Sequence, residues 1–247
     1  MKTCDRTLKQ QRERAEFNNF LRVRRLSFEH FYSADEPEPD IVAIQGNERF
    51  GIEVTNFHRQ AAKRRESEED RVVDLARLLH VESGGPNLCV DVTWAPHYEI
   101  RKQARNELAS KLVSLVRQNI PEPGMVVHLD WRNFSTDLMS AIADVFVDRS
   151  LKLSGNHWFA SGGGVVPDWD IATLQNEIDK NNSKPKRYAH FYTETWLLIV
   201  SSFGAPSAWM EMTDEVKQNA FRTTFHRVFL LSSFPLDAFE LRVHPLT

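Results

Sequence analysis

The pattern of hydrophobic and polar residues along the chain predicts an alternation of helices and strands. Apolar side chains that recur every three or four positions predict helices over residues 6–32, 64–80, 98–119, 137–149, 168–182 and 213–221. Alternating or continuous apolar runs predict a hairpin over residues 40–55 and strands over residues 88–94, 125–131, 158–166, 196–201 and 228–232. This is a mixed α/β pattern. Since the sequence has neither a fixed repeat nor a low-complexity linker, we expect one domain over residues 1–247.

The segment 40–55 carries the most specific pattern. Two apolar-rich runs, 40–45 and 48–55, flank the dipeptide Gly46-Asn47, and a glycine in the first turn position is typical of a type II′ hairpin turn. A two-residue turn fixes the register of its strands. Counting outward from Gln45 opposite Glu48 pairs Ile44 with Arg49, Ala43 with Phe50, Val42 with Gly51, Ile41 with Ile52 and Asp40 with Glu53.

Strand alternation divides this hairpin into an apolar and a polar face. The apolar face comprises Ile41, Ala43, Phe50, Ile52 and Val54, and the polar face comprises Asp40, Arg49, Glu53 and Thr55. Directly opposed residues have Cβ atoms about 5 Å apart, a distance at which like charges destabilise the pair. A divalent cation such as Mg²⁺ would offset the repulsion between Asp40 and Glu53. The alternative is that both carboxylates point into solvent, where the high dielectric constant weakens their repulsion.

Composition and charge narrow the function classes. A formal net charge of −3 argues against a protein that coats nucleic acid through bulk charge. Three basic clusters are still compatible with phosphate contacts around an acidic centre: Arg22, Arg24 and Arg25; Lys63, Arg64 and Arg65; and Lys180, Lys184, Lys186 and Arg187. No window approaches the roughly 18 apolar residues that span a bilayer. With no apolar signal segment at the N-terminus, we expect a cytoplasmic protein without a membrane partner.

The stretch Glu38-Pro39-Asp40, the turn, and Gly51-Ile52-Glu53-Val54-Thr55 resemble the active-site hairpin of the PD-(D/E)XK phosphodiesterase superfamily, which includes restriction endonucleases and Holliday-junction resolvases. The resemblance covers roughly residues 1–80. It implies a restriction-endonuclease-like mixed β-sheet core flanked by helices, which the later residues extend as a C-terminal α/β elaboration. It also implies that Asp40 and Glu53 bind Mg²⁺ or Mn²⁺. The family often aims a glutamate of the preceding helix at the metal, and we match Glu16 to it, with Glu13 as the alternative.

The chain departs from the family pattern at one position. The family usually has a lysine two residues after the motif glutamate, whereas this chain has Thr55. A lysine there would orient the attacking water and stabilise developing negative charge. In some members an equivalent residue arrives from another element, and the segment 178–186 offers Lys180, Lys184 and Lys186. We choose Lys180; the alternative is that it is a solvated lysine near a helix C-terminus, where the helix dipole favours a cation.

The leading hypothesis is a metal-dependent nuclease in which Asp40 and Glu53 bind the metal while Glu16 and Lys180 assist catalysis. DNA is expected as the substrate because most of the family acts on DNA, and antiviral defence is the cellular role we favour. A second hypothesis is a catalytically inactive nuclease-fold protein that binds nucleic acid, a partner protein or a second copy of itself. A third is an unrelated α/β interaction domain with an accidental hairpin match.

Overall fold

The structure is a computed structural model that describes residues 2–161, 166–201, 206–233 and 235–246. Contacts within the chain group it into two compact units. Unit 1 comprises Met1–His58 and Val166–Thr247, and unit 2 comprises Arg59–Val165. The single-domain organisation stays a prediction. None of the helices in the described part of the chain combines the length and the apolar character needed to cross a bilayer.

The regular elements follow one another in a mixed order along the chain. The helices are α1 Lys2–Arg24, α2 Gln60–Glu82, α3 Arg105–Gln118, α4 Thr136–Ala141, α5 Ile171–Asn181 and α6 Asp214–Gln218. The strands are β1 His30–Ser33, β2 Ile41–Gln45, β3 Glu48–Asn56, β4 Cys89–Trp94, β5 Val126–Leu129, β6 Ile142–Asp148, β7 His157–Ser161, β8 Glu194–Ser201, β9 Ala220–Thr223, β10 Arg227–Ser233 and β11 Leu236–Pro245.

Unit 1 is built on a seven-stranded mixed sheet with the strand order β1-β2-β3-β8-β10-β11-β9. The first three strands form an antiparallel meander, and β8 then pairs in parallel with both β3 and β10. Helix α1 packs on one face of the sheet, where Phe17 and Phe20 are fully buried with Trp196 and Phe229. Helix α5 contributes Leu174 to the apolar cluster on the opposite face. The predicted mixed α/β class is confirmed.

Unit 2 contains a four-stranded sheet with the strand order β5-β6-β4-β7. Alternate residues of its strands are buried in one apolar cluster with helices α2 and α3. Val90 and Val92 of β4, for example, pack in the cluster that also holds Val72 of α2 and Leu112 of α3. The predicted helices over 64–80 and 98–119 correspond to α2 and α3, although α3 begins only at Arg105.

The predicted hairpin register is confirmed over its whole ladder. Gln45 pairs with Glu48, and each further pair follows the predicted count as far as Ile41 opposite Ile52. Gly46 has a φ of +59° whereas Asn47 does not have a positive φ, as a type II′ turn requires. The predicted apolar face lies in the cluster that α1 covers. The predicted pair Asp40–Glu53 lies beyond the ladder, where the Asp40 side chain accepts a hydrogen bond from the backbone amide of Val54.

The predicted helix over residues 6–32 is wrong at its C-terminal end. Helix α1 ends at Arg24, because Arg25 adopts a left-handed conformation with a φ of +53°. The amide of Leu26 then bonds back to the carbonyl of Leu21 at 3.0 Å, which closes the last turn. Phe31 instead belongs to β1 and still packs against Phe17, with ring centroids 5.1 Å apart. The apolar spacing therefore marked core residues correctly but not their backbone conformation.

Two shorter segments that were predicted as helices begin as helices and continue as strands. The prediction over 137–149 covers the short α4 and then β6, which pairs with β4 on one side and β5 on the other. The prediction over 213–221 covers α6 and then the start of β9, which pairs with β11. Sheet pairing outweighs helix propensity in both segments. Of the strand predicted over 158–166, β7 accounts for the first part, while residues 162–165 lie outside the described residues.

Candidate functional site

Asp40 and Glu53 lie at one end of the β2/β3 pair, on adjoining strands. Asp40 directly precedes β2, and its Oδ2 accepts a hydrogen bond from the backbone amide of Val54 at 3.0 Å. This bond holds the Asp40 carboxylate beside β3, next to the position of Glu53. Glu53 is only 5% exposed. It therefore does not point freely into solvent, and the nearby charge of Asp40 contributes to the perturbation of its pKa.

Both carboxylate oxygens of Glu53 have partners from the segment that follows α5. The ammonium of Lys184 lies 2.6 Å from Oε2, and the hydroxyl of Tyr188 donates to Oε1 at 2.7 Å. A single 3₁₀ turn, Pro185–Arg187, separates these two residues and presents both to the same carboxylate. Charge-assisted bonds of this length are among the stronger ones in proteins, so they fix the orientation of Glu53.

Helix α1 brings a second lysine to the other carboxylate. The ammonium of Lys9 lies 2.9 Å from Oε1 of Glu13 and 3.2 Å from Oδ1 of Asp40. Lys9 is largely exposed, whereas Glu13 is buried. Lys184 also acts electrostatically on Glu13. The site is therefore a cluster of three carboxylates and two ammonium groups, which we call the carboxylate–lysine cluster.

Burial is the largest cause of the raised pKa values of Glu53, Glu13 and Tyr188. Burial raises the pKa of Glu53, and the charge of Asp40 raises it further, while Lys184 and Tyr188 oppose the rise. Burial likewise raises the pKa of Glu13, with Lys9 opposing it. For Lys9, burial alone would lower the pKa, but the bonds and charges of Glu13 and Asp40 raise it. Burial and Glu53 raise the pKa of Tyr188, so its phenol keeps its proton and donates it in the bond.

The two other predicted catalytic residues, Glu16 and Lys180, have partners other than Glu53. Glu16 is half-buried, and the groups acting on its carboxylate are Asn19 and Arg12 of its own helix, which oppose the rise in pKa that burial causes. Lys180 bonds Glu177 at 2.6 Å, and 61% of its side chain is exposed. Lys184, one of the three lysines considered, is the one that reaches Glu53. Catalytic roles for Glu16 and Lys180 stay predictions.

Helical geometry explains why Glu13, rather than Glu16, faces the sheet. At about 100° per residue, Glu13 falls between the buried side chains of Phe17 and Phe20 around the helix axis, whereas Glu16 falls outside them. An angular count on α1 would therefore have selected Glu13 from the sequence. The i, i+4 spacing from Glu13 marks Lys9, whereas no comparable signal marks Tyr188, because its approach depends on how a distant segment folds onto the hairpin.

Thr55, which stands at the motif lysine position, takes part in a separate polar contact. Its hydroxyl donates to Oε1 of Glu177 at 3.3 Å, and Oε2 of the same carboxylate accepts from Lys180. Thr55 is therefore committed to α5 and does not supply a cation to Glu53. The positive charge beside Glu53 comes instead from Lys184.

The donor set of the cluster fits a hard divalent cation only as a pair of carboxylates. Among the described residues, no three His, Cys, Asp or Glu side chains are arranged as a metal-ligand group. Mg²⁺ accepts one or two protein carboxylates and takes its remaining ligands from water and phosphate oxygens. Asp40 and Glu53 supply two carboxylates at one end of the hairpin. Each is paired with an ammonium group, since Lys184 lies 2.6 Å from Oε2 of Glu53 and Lys9 lies 3.2 Å from Oδ1 of Asp40.

No protein-family model, no curated protein and no solved structure matches this chain. The geometry of the carboxylate–lysine cluster and the hairpin resemblance are therefore the two observations that bear on function.

Proposed function

We propose that the protein is a metal-dependent nuclease that hydrolyses phosphodiester bonds, with DNA as its substrate. The observation that carries the proposal is the convergence of Asp40, Glu53 and Lys184 at one end of the β2/β3 pair, with Lys184 Nζ 2.6 Å from Glu53 Oε2. Two carboxylates beside a lysine are the side chains that the PD-(D/E)XK resemblance requires. The lysine comes from the segment after α5 instead of from the motif position.

The proposed roles follow from the chemistry of each side chain. Asp40 and Glu53 would hold Mg²⁺ or Mn²⁺, which when bound polarises the phosphodiester and lowers the pKa of a coordinated water. The Val54 amide and the Tyr188 hydroxyl keep the two carboxylates oriented. Lys184 would place a positive charge where negative charge develops on the phosphate. Glu13 would adjust the position of Lys9 and, through it, the charge near Asp40.

The architecture of unit 1 also supports the proposal. A helix, α1, precedes the hairpin and presents an acidic residue to the site, as the resemblance implies. The hairpin lies inside a mixed sheet with helices on both faces. We propose that this sheet is a restriction-endonuclease-like core and that β9, β10 and β11 are its C-terminal elaboration.

Activity measurements on purified protein test the proposal. We expect plasmid or single-stranded DNA to be cut only when Mg²⁺ or Mn²⁺ is present, and cutting to disappear in the double variant Asp40→Ala, Glu53→Ala. Lys184→Met should lower the rate about 100- to 1000-fold, because loss of one positioned charge-stabilising donor has an effect of that size. The matched control is Lys186→Met, which removes the same charge from an exposed side chain two residues away. Cutting that persists in the double variant would refute the proposal.

A second candidate function is a catalytically inactive nuclease-fold protein. The observation that favours it is that ammonium groups already neutralise both motif carboxylates. Several of the basic residues considered for phosphate contacts are also paired with acids: Arg24 with Glu240, Arg65 with Glu69, Lys180 with Glu177 and Lys184 with Glu53.

Metal titration separates these two functions. A ligand at about 100 times its Kd stabilises the folded state by about 2.7 kcal/mol. The nuclease proposal expects Mg²⁺ to raise the melting temperature of the wild type but not that of Glu53→Gln. For the inactive protein, Mg²⁺ would raise the melting temperature of neither the wild type nor Glu53→Gln.

A further inference from the structure

The four-stranded sheet of unit 2 has one face that α2 and α3 do not cover. The face toward α2 and α3 carries the buried residues of the unit, such as Val90, Val145 and Trp158. The alternate residues of the same strands point to the opposite side, where several of them are exposed. We call this opposite side the open face. The residues at its centre are His128, Asp144, Phe146, Asp148, Asp91 and Phe159.

Aromatic rings and an acid alternate across the middle of the open face. The register places His128 opposite Phe146, Phe146 opposite Asp91, and Asp91 opposite Phe159. Phe146 is 43% exposed and Phe159 is 46% exposed, and the imidazole of His128 stacks on Phe146 at a centroid distance of 4.4 Å. Since neighbouring strands are about 4.8 Å apart, the backbones carrying the two phenylalanines are about 10 Å apart. Asp91 lies between them.

The charge on the open face is negative. Among its strand positions it has three aspartates, Asp91, Asp144 and Asp148, and neither a lysine nor an arginine. Ser161 donates to Asp91, and His128 lies 2.7 Å from Asp144, so these carboxylates are held in place on the sheet. Burial raises the pKa of the Cys89 thiol, and the negative charges of Asp148 and Asp91 raise it further. Exposed aromatic rings bordered by charges of one sign are typical of an interaction site.

We propose that the open face docks an arginine-rich segment of another protein. A guanidinium group stacks on an aromatic ring while pairing with a neighbouring carboxylate, and the Phe159–Asp91 pair offers both partners on adjacent strands. Asp148 lies one row away and provides the next acidic contact. His128 already stacks on Phe146, so Phe159 is the principal ring for the ligand. The inference concerns unit 2 and is independent of the nuclease proposal.

Charge distinguishes this occupant from nucleic acid. Exposed aromatic rings on a sheet can also stack on bases, but nucleic-acid sites combine such rings with positive charge that contacts the phosphates. Here Asp91 lies beside both rings, and an aspartate repels a phosphate backbone. A lysine-rich segment would satisfy the charges, yet its compact ammonium lacks the planar surface and the forked donors of arginine. Preference for arginine over lysine is therefore the specific signature of the proposal.

Fluorescence anisotropy with the full chain tests the inference at an ionic strength of about 0.15 M, where distant charges are screened. The probes are short labelled peptides of alternating arginine and serine, of lysine and serine, and of glutamate and serine, together with single-stranded DNA. We expect the arginine peptide to bind most tightly. Phe159→Ala should weaken its binding about two- to fivefold while leaving the charge unchanged. Asp91→Asn with Asp148→Asn should weaken it about three- to tenfold.

The control variant is Asp214→Asn with Glu215→Gln, which removes the same charge from α6 in unit 1. It should bind the arginine peptide as the wild type does. Melting curves of all variants show whether each is folded, and Phe159→Leu, which removes the ring but keeps an apolar side chain, replaces Phe159→Ala if the latter is not. Equal binding of arginine and lysine peptides that is insensitive to Phe159→Ala would overturn the inference, because bulk charge would then explain it. Binding of DNA, or self-association, that is lost in the open-face variants would also overturn it.

Discussion

Replacement of Lys184 by methionine isolates the electrostatic role of the lysine at Glu53. Methionine keeps an unbranched apolar side chain but removes the ammonium that lies 2.6 Å from Glu53 Oε2. Breaking a buried ion pair by removing one partner typically costs about 3–5 kcal/mol, because the other charge is left uncompensated. The Lys184 side chain is 35% exposed and Tyr188 still donates to Glu53, so we expect a smaller loss of about 2 kcal/mol. For a chain of this length, that corresponds to a fall in melting temperature of about 4–8 °C.

The pH dependence of this loss follows from the pKa of Glu53. Burial and Asp40 raise the folded-state pKa above the ordinary value of 4.5, and Lys184 opposes that rise. A raised folded-state pKa means that the contribution of Glu53 to stability is complete below its ordinary pKa and is lost as the pH rises through the folded-state pKa. Removing Lys184 raises the folded-state pKa further, so the deficit should be small near pH 4.5 and full at pH 8.

Urea denaturation of wild type, Lys184→Met and the control Lys186→Met at several pH values measures the deficit. We expect Lys186→Met to match the wild type within about 0.5 kcal/mol, as surface substitutions usually do. Two results would refute the reasoning. One is a Lys184→Met protein as stable as the Lys186→Met protein at pH 8, and the other is a deficit that does not change between pH 4.5 and pH 8.

Two further substitutions test other contacts of the hairpin. Tyr188→Phe removes the hydroxyl that donates to Glu53 Oε1 at 2.7 Å, so it should lower the free energy of unfolding by about 1.5 kcal/mol and raise the pKa of Glu53. Urea denaturation at a series of pH values would detect both effects, and an unchanged pH profile would contradict the role of Tyr188. Gly46→Ala introduces a side chain at a φ of +59° where no atom lies within 4 Å of the new Cβ, so strain alone should cost about 1 kcal/mol, and Gly46→Asn should cost less in the same assay. Equal stability of the two Gly46 variants would count against the turn assignment.

Local and distant determinants explain which parts of the structure were predictable from sequence. The hairpin register depends on a two-residue turn and on strand alternation, both of which are properties of neighbouring residues. The five residue pairs of the β2/β3 ladder were therefore predicted correctly. The end of α1 depends on Arg25 adopting a left-handed conformation, for which the sequence offers no glycine or asparagine as a signal. β6 becomes a strand because β4 and β5 flank it in the sheet, which its own apolar spacing does not reveal.

The same distinction applies to the candidate site. The proximity of Asp40 and Glu53 could be predicted because the two residues flank one turn, whereas 131 residues separate Glu53 from Lys184. The segment carrying Lys184 could be named as a source of the lysine, but the choice among Lys180, Lys184 and Lys186 depends on how the chain leaves α5. Asn181 and the 3₁₀ turn Pro185–Arg187 direct that path, since the amide of Lys184 bonds to the carbonyl of Asn181 at 2.9 Å.

The carboxylate–lysine cluster also constrains how a metal could enter. Glu53 is nearly inaccessible to water, and its carboxylate is neutralised by Lys184 rather than by solvent. A divalent cation that bound to Asp40 and Glu53 would have to displace the ammonium of Lys184 from Oε2, and the exposed part of the lysine side chain gives it room to move. A displaced Lys184 would remain tethered beside the site, where its charge could meet a substrate phosphate. In the proposed nuclease, the ammonium that stabilises the metal-free protein would also act on the substrate, which links the stability and activity effects of Lys184→Met.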